Sequence, residues 1–463
     1  MTVVAEQPTD RPSKVRKGRW IDHWEPERPE FWAGGGRRIA WRNLGFSVLA
    51  EHLGFNVWIL MSIVVVSLGD VGISFGVGQT FWLLILPNLV GAALRVPYTF
   101  AIPRFGGRAW TTTSASLLLI PCAMLLIAVT TQAPYWFFLL TAAAMGFGGG
   151  NFSSSMANIS FFFPEGKKGL ALGLNAAGGN LGVAVTQLFV PIVISTSTGV
   201  NLAYAALMWM PVIVLSAACS WLFMDSLTQA KPDGTSYRLA MRNKHTWVMS
   251  LLYIGTFGSF IGFSFAFPSL IKISFVGFQS FVGLAFLGAL IGSVSRPFGG
   301  WLADRVGGAR ITLLNFLGMA AGTVGVLVSV ARHDFALFFG SFVLLFVLTG
   351  IGNGSTYRMI PMIFAAEGRR MAAEPGADAE TAMASAKRQA AAVVGVAGAV
   401  GAFGGVLVNL VFKFSLEGTD RSLTSALVAI LAFYAVCVVT TWWFYLRRSF
   451  AVKRAPSLAH AGV

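Results

Sequence analysis

Charge is what this sequence has least of. Only 11% of its 463 residues are Asp, Glu, Lys or Arg, against about 25% in soluble domains, and that scarcity excludes an ordinary water-facing globular surface. Cysteine is nearly absent: Cys122, Cys219 and Cys437 fall inside apolar stretches without metal-ligand spacing, read as packing residues, and no metal is expected. Histidine is rare, and four of the five (His23, His245, His333, His460) lie in tails or loops with no nucleophile–base set nearby, so the chain does not read as an enzyme. No Walker motif occurs. The spacing Gly146-x-Gly148-x-Gly150 follows no predicted strand and sits within a continuous apolar run, which excludes a nucleotide loop; no cofactor is expected. The N-terminus lacks a short apolar region ending in a cleavage site, so no cleavable signal is expected.

Apolar length is what the chain has instead. It is 55% hydrophobic, and a span of the hydrocarbon core needs roughly 20 apolar residues. Such windows occur at 44–68, 78–102, 109–129, 134–163, 169–196, 200–224, 246–272, 276–303, 309–331, 335–365, 386–412 and 422–446. The expected fold is an all-α membrane protein of twelve transmembrane helices. Its parts are a tail at 1–43, a six-helix half at 44–224, a linker at 225–245, a second half at 246–446 and a tail at 447–463.

The net charge of +15 suggests a nucleic-acid partner until the charges are located. Of 34 Lys and Arg, 27 lie in the two tails and the loops after even-numbered spans, and 4 (Lys272, Arg332, Lys413, Arg421) in the loops after odd-numbered ones. Basic residues stay on the cytoplasmic side during insertion, so both termini are expected in the cytoplasm and nucleic acid is excluded as partner.

The remaining three, Arg95, Arg296 and Arg358, stand inside spans. Two belong to an internal repeat. Arg95, Pro97 and Arg104-Phe105-Gly106-Gly107-Arg108 recur as Arg296, Pro297 and Arg305-Val306-Gly307-Gly308 with Arg310; Arg95, Arg104 and the Gly-Gly pair are displaced by 201 residues, the proline and the last arginine by one fewer and one more. At 1.5 Å per residue each arginine sits roughly 13 Å from its Arg-x-Gly-Gly turn, near mid-membrane. Transporters built from related halves bind substrate at that depth, where the halves meet.

A charge there needs a reason. A structural ion pair would require acids at matching depth, and only Glu51 and Asp70 touch a span. An anion site is the better reading, because the planar guanidinium keeps its charge and offers parallel donors to a planar oxyanion. Arg358 lies near the cytoplasmic loop and reads as snorkelling or as a gate contact.

Small residues crowd span 4 (Gly146, Gly148, Gly149, Gly150), span 5 (Gly169, Gly173, Gly178, Gly179, Gly182) and span 11 (Gly395, Gly398, Gly401, Gly404, Gly405). Close helix packing explains most of them. Flexing or sliding during a conformational cycle is the sharper alternative, and it bears on Gly173, Gly178, Gly398 and Gly401.

The stretch Asn151-Phe152-Ser153-Ser154-Ser155-Met156-Ala157-Asn158 through Phe163-Pro164, followed by Gly173-Leu174-Asn175-Ala176-Ala177-Gly178-Gly179-Asn180, resembles the signature of the nitrate/nitrite porter family of the major facilitator superfamily. Gly352-Asn353-Gly354-Ser355-Thr356-Tyr357-Arg358 and Gly395 to Gly405 are similar to further stretches of that family. The resemblance implies two pseudo-symmetric six-helix halves (the major facilitator fold), and alternating-access transport of nitrate and nitrite across a bacterial cytoplasmic membrane by a multi-pass protein; the sequence leaves the oligomeric state open, with a monomer as the default. It implies a substrate site of Arg95 and Arg296 with Phe152, Asn180, Tyr253, Phe257 and, less directly, Asn175. The superfamily's loop pattern carries an acid before the arginine. Asp304-Arg305 keeps it and Arg104 does not, so the first latch is expected to be looser or differently paired.

Two couplings remain open. Opposed positive charges in an empty site favour obligatory exchange, an antiporter. Proton symport needs a titratable group near the path, and Glu51-His52 is the one such pair in any span; the plainer reading pairs Glu51 with a basic group near the cytoplasmic face. A non-transporting anion sensor would carry an output domain, for which residues 1–43 and 447–463 are too short.

Overall fold

The computed structural model describes residues 18–197, 199–230, 234–376, 378–419, 421–448, 457–459 and 463. Much of both expected tails, including Arg11, Lys14, Arg16, Lys17 and His460, lies outside the described residues. Among the described residues twelve long helices follow one another: α1 (Pro29–Ser67), α2 (Val77–Phe105), α3 (Gly107–Thr130), α4 (Tyr135–Phe162), α5 (Glu165–Ile194), α6 (Ala203–Phe223), α7 (Lys244–Ser274), α8 (Val276–Val306), α9 (Gly308–Arg332), α10 (Phe335–Ala372), α11 (Ala379–Glu417) and α12 (Thr424–Leu446). Eleven are long and apolar enough to cross a membrane. The other, α4, has 28 residues, and its Gly146–Ser155 stretch dilutes its apolar character.

Burial sorts these helices into a centre and a rim. The most apolar windows of α1 and α7 are each 83% buried within the protein, those of α6 and α12 only 33% and 28%, so α1 and α7 line the interface between halves. Rim residues such as Val214, Leu215, Val294, Leu314 and Val439 present apolar side chains outward, as a lipid-facing surface must.

The internal repeat is visible in the backbone. Gly106 (φ 83°) ends α2 and Gly307 (φ 100°) ends α8, each in the positive-φ region where a side chain is strained. The small residues of α4 and α10 act by close approach: a Cβ on Gly149 would stand 2.9 Å from the Cα of Gly91 in α2, and one on Gly354 would collide with the carbonyl oxygen of Arg296. Packing therefore accounts for those positions. It does not account for Gly173, where a Cβ would meet nothing within 4 Å.

Helix ends differ from the hydropathy windows in a consistent way. α1, α10 and α11 run past 44, 365 and 386 because their polar turns continue the helix beyond the apolar segment. The linker is partly helical, at Gly234–Arg242. The all-α expectation omits two tiny sheets. In one of them Trp20–Ile21 pairs in parallel with Ser226–Leu227, docking the N-terminal segment against the end of α6.

Candidate functional site

α2 places Arg95 fully buried between the halves. Its Nη1 donates to the Gly398 carbonyl of α11 at 2.6 Å and its Nε to the Gly149 carbonyl of α4 at 3.2 Å. Glycine at 149 lets the α4 backbone come that close. The guanidinium carbon lies 4.6 Å from the ring centre of Phe152, 5.1 Å from Phe257 and 5.7 Å from Trp58, an aromatic box that offsets desolvation through cation–π attraction.

Arg296, on α8, is 9% exposed; its Nη2 donates to the Tyr253 hydroxyl at 3.3 Å, and its guanidinium carbon lies 5.4 Å from the Tyr357 ring. The rings join the two arginines. Phe152 stacks on Phe257 (6.3 Å), Phe257 on Tyr253 (5.3 Å), and Tyr253 meets Tyr357 (6.0 Å). A π-helical turn at Ile254–Gly258 interrupts α7 directly after Tyr253 and carries Phe257.

Among the described residues no carboxylate forms an ion pair with Arg95 or Arg296, and Nη2 of Arg95 and Nη1 of Arg296 are buried without a hydrogen-bond partner. Buried donors are almost always satisfied, and a planar oxyanion has the acceptor geometry to complete both guanidinium groups.

Glu51 departs from its plainer expectation. It is 1% exposed and pairs with no basic group: Oε2 accepts from Ser155 Oγ and from Asn175 Nδ2 (2.5 Å), while Oε1 has no partner. The apolar run of α1 carries it deeper than its sequence distance from the basic tail suggests, into the α4–α5 contact. His52 turns away, and its Nδ1 donates to the Gly178 carbonyl at 2.9 Å. Asn175 is thus engaged with Glu51 and Ser155, and Asn180 is buried with its Oδ1 unpartnered.

Arg358 bonds Asp304, with both side chains half exposed. Arg305 covers the Trp301 ring at 4.2 Å, and Arg104 only the neighbouring Phe105 at 5.6 Å. In the first half Arg108 donates to the carbonyls of Trp221 (2.6 Å) and Gly18 (2.8 Å). Beside it, buried Asp225 takes Arg19 (2.9 Å), Arg42 (2.5 Å) and Asn43 (3.0 Å). Sequence reasoning missed Tyr357 and Trp58. Tyr357 stands in the family-like Gly352–Arg358 stretch, overshadowed by the charge of Arg358; nothing separates Trp58 from other core aromatics.

A family model described as Major Facilitator Superfamily matches residues 46–407. The nitrate/nitrite transporter NarU of Escherichia coli (strain K12) is 41% identical over 449 residues, 93% of this chain and 97% of that protein. The chain belongs to the nitrate/nitrite porter family of the major facilitator superfamily. Other members of this family that it resembles include the probable nitrate/nitrite antiporter NarK2 of Thermus thermophilus (34% identical; 94% and 98% covered) and the nitrite extrusion protein of Bacillus subtilis (strain 168; 26%; 88% and 95%). A solved inward-facing, occupied structure of a bacterial homologue of the human lysosomal transporter Spinster superposes with a TM-score of 0.59 at 13% identity, covering 86% of this chain and 95% of that one, which shows the shared fold. This porter is a multi-pass integral membrane protein.

Proposed function

We propose that this porter moves nitrate and nitrite across the bacterial cytoplasmic membrane by alternating access, exchanging one for the other as a monomer with both termini in the cytoplasm. One observation carries the reading: two buried arginines, from equivalent places in the two halves, each keep an unpaired nitrogen at the ends of one aromatic stack. A planar monovalent oxyanion accepts from both forks and lies flat against the rings. Phe152, Phe257, Tyr253 and Asn180 complete the site, and Asn175 joins it through Ser155 and Glu51. The excess of basic residues at the end bearing the N-terminal segment supports the orientation.

Exchange follows from electrostatics. An empty site holds two cations facing each other, which penalises the closed unloaded state and stalls the return step. Nitrate uptake into proteoliposomes is therefore expected only when nitrite or nitrate is inside, with no response to an inward proton gradient. Uptake into empty vesicles that tracks the gradient would overturn exchange.

Glu51 favours the second reading, proton symport, because a buried carboxylate with one free oxygen lies within Coulombic reach of both arginines. Glu51→Gln separates the two. Exchange is expected to persist within about threefold, since glutamine still accepts from Ser155 and Asn175, whereas a symporter would lose its dependence on the gradient.

The glycines of α11 give a steric test. A Cβ at Gly401 would collide with the Tyr253 ring, and one at Gly398 would come no closer than 3.8 Å to Phe152. Gly401→Ala is expected to push Tyr253 off Arg296 and raise the KM for nitrate about tenfold, and Gly398→Ala to change it less than threefold.

A further inference from the structure

The four basic residues far from the basic face do not share one environment. Arg332, at the end of α9, and Arg421 are exposed. Lys272 and Lys413, both from the second half, are drawn in against the first. Lys272 Nζ donates to the carbonyl of Val66, in the last turn of the Met61–Ser67 segment of α1. Carbonyls of a final helical turn lack intrahelical partners and carry the negative end of the dipole, so the lysine caps α1 from across the interface. Lys413 bonds Glu417 and lies 5.7 Å from the Trp82 ring of α2. The Glu417 carboxylate in turn fills the space beside Gly78 in the first turn of α2, where a Cβ would overlap its Oε1.

The second half thus closes on the first with a cation on the end of α1 and an anion on the start of α2, each matched to its helix dipole. Gln187 of α5 adds a bond to the Ser264 carbonyl of α7 at 2.7 Å. Deep to this seal lie Arg95 and Arg296. Rocking the halves apart at this end breaks the contacts that cross between them and leaves the Lys413–Glu417 pair within α11 intact, and the two ammonium groups lose their partners on α1 and α2 just as the entrance opens between them.

Resting on the transport reading above, we propose that Lys272 and Lys413 form the outer gate and, once it opens, the first attracting station for the incoming small anion. Lys272 is the purer case, because its shut-state partner is a neutral carbonyl and its whole charge is released into the vestibule. Lys413 stays partly neutralised by Glu417. Clefts lined by one sign of charge raise the capture rate of opposite ions, and salt screens the effect.

The test pairs a conformational with a kinetic readout on the full chain. Ser264→Cys, on a Cys219→Ser background, is labelled from outside with a membrane-impermeant thiol reagent, with and without Lys272→Gln. Labelling is expected to accelerate about threefold or more when the lysine latch is removed, and this reading does not depend on what is transported. Nitrate exchange is then measured in right-side-out and inside-out vesicles. Lys272→Gln is expected to raise the outside KM about three- to tenfold at low ionic strength, with the difference vanishing in about 1 M sodium gluconate and the inside KM unchanged. Lys413→Gln is expected to do the same to a smaller degree. Unchanged labelling overturns the latch. Faster labelling with an unchanged outside KM, or with equal shifts on both sides, overturns the attracting role. Absence of nitrate exchange in the unmodified protein sinks the substrate assignment alone, and the labelling result still decides the gate.

Discussion

Arg95→Lys is expected to reduce nitrate exchange at subsaturating substrate by at least about 100-fold, and Arg296→Lys by about 10- to 100-fold, although both keep the positive charge. The reason is geometric. Arg95 uses Nε on the Gly149 carbonyl and Nη1 on the Gly398 carbonyl and still has Nη2 for an anion. One ammonium cannot hold carbonyls of α4 and α11 at fixed positions and also present a planar fork. A hydrogen bond involving a charged group contributes about 1.5–3 kcal/mol, or roughly one to two decades in affinity. Arg95 carries more than Arg296 because it also ties the two halves together through Gly398. Nitrate binding to the purified variants, by calorimetry, together with counterflow uptake, checks both values. A lysine variant with an unchanged nitrate KM would remove that arginine from the site.

The largest effect on stability is expected at Asp225. Its fully buried carboxylate is held by Arg19, Arg42 and Asn43, and its backbone N–H donates to Asn43 Oδ1 at 2.8 Å. Breaking a buried pair costs about 3–5 kcal/mol, and because Arg19 and Arg42 are each about a third exposed, roughly 2–3 kcal/mol is expected here. Asp225→Ala should lower the Tm of the detergent-solubilised protein by about 3–6 °C and release the segment around Trp20 to proteolysis. Arg19→Ala should act in the same direction with a smaller shift. An unaltered Tm together with an intact proteolytic pattern would mean that the segment is held by its apolar contacts alone, through Ile21, Trp24 and Phe31.

The sequence made the bundle legible because lipid imposes a length on every span and a charge bias on every loop. It made Arg95 and Arg296 legible because a cation at mid-membrane has few structural excuses. Phe152, Tyr253 and Phe257 were within reach only through the family resemblance, since a phenylalanine that stacks on a guanidinium is indistinguishable in sequence from one that fills a helix contact. The π-helical turn at Ile254–Gly258 and the carbonyls of Gly149 and Gly398 left no mark, because backbone acceptors have no residue type. Glu51 was misjudged for a related reason. Counting residues from the basic tail gave its height along α1 but not the face it shares with Ser155 and Asn175. The pairing of Arg19 with Asp225 spans 206 positions in the chain and no local pattern announces it.

That pairing has a bearing on how the protein is made. Residues 18–21 leave the ribosome long before the end of α6, yet their strand partners are Ser226 and Leu227 and their counterion is Asp225. Those strand partners and that counterion are missing until the sixth helix is threaded and its exit is presented on the same side of the bilayer. The earliest of these elements to be synthesised is therefore among the last to be seated, and its docking marks the moment at which the first half is complete and correctly oriented. A half inserted with one helix too few would put Asp225 on the far side of the membrane from Arg19, where the clasp cannot close.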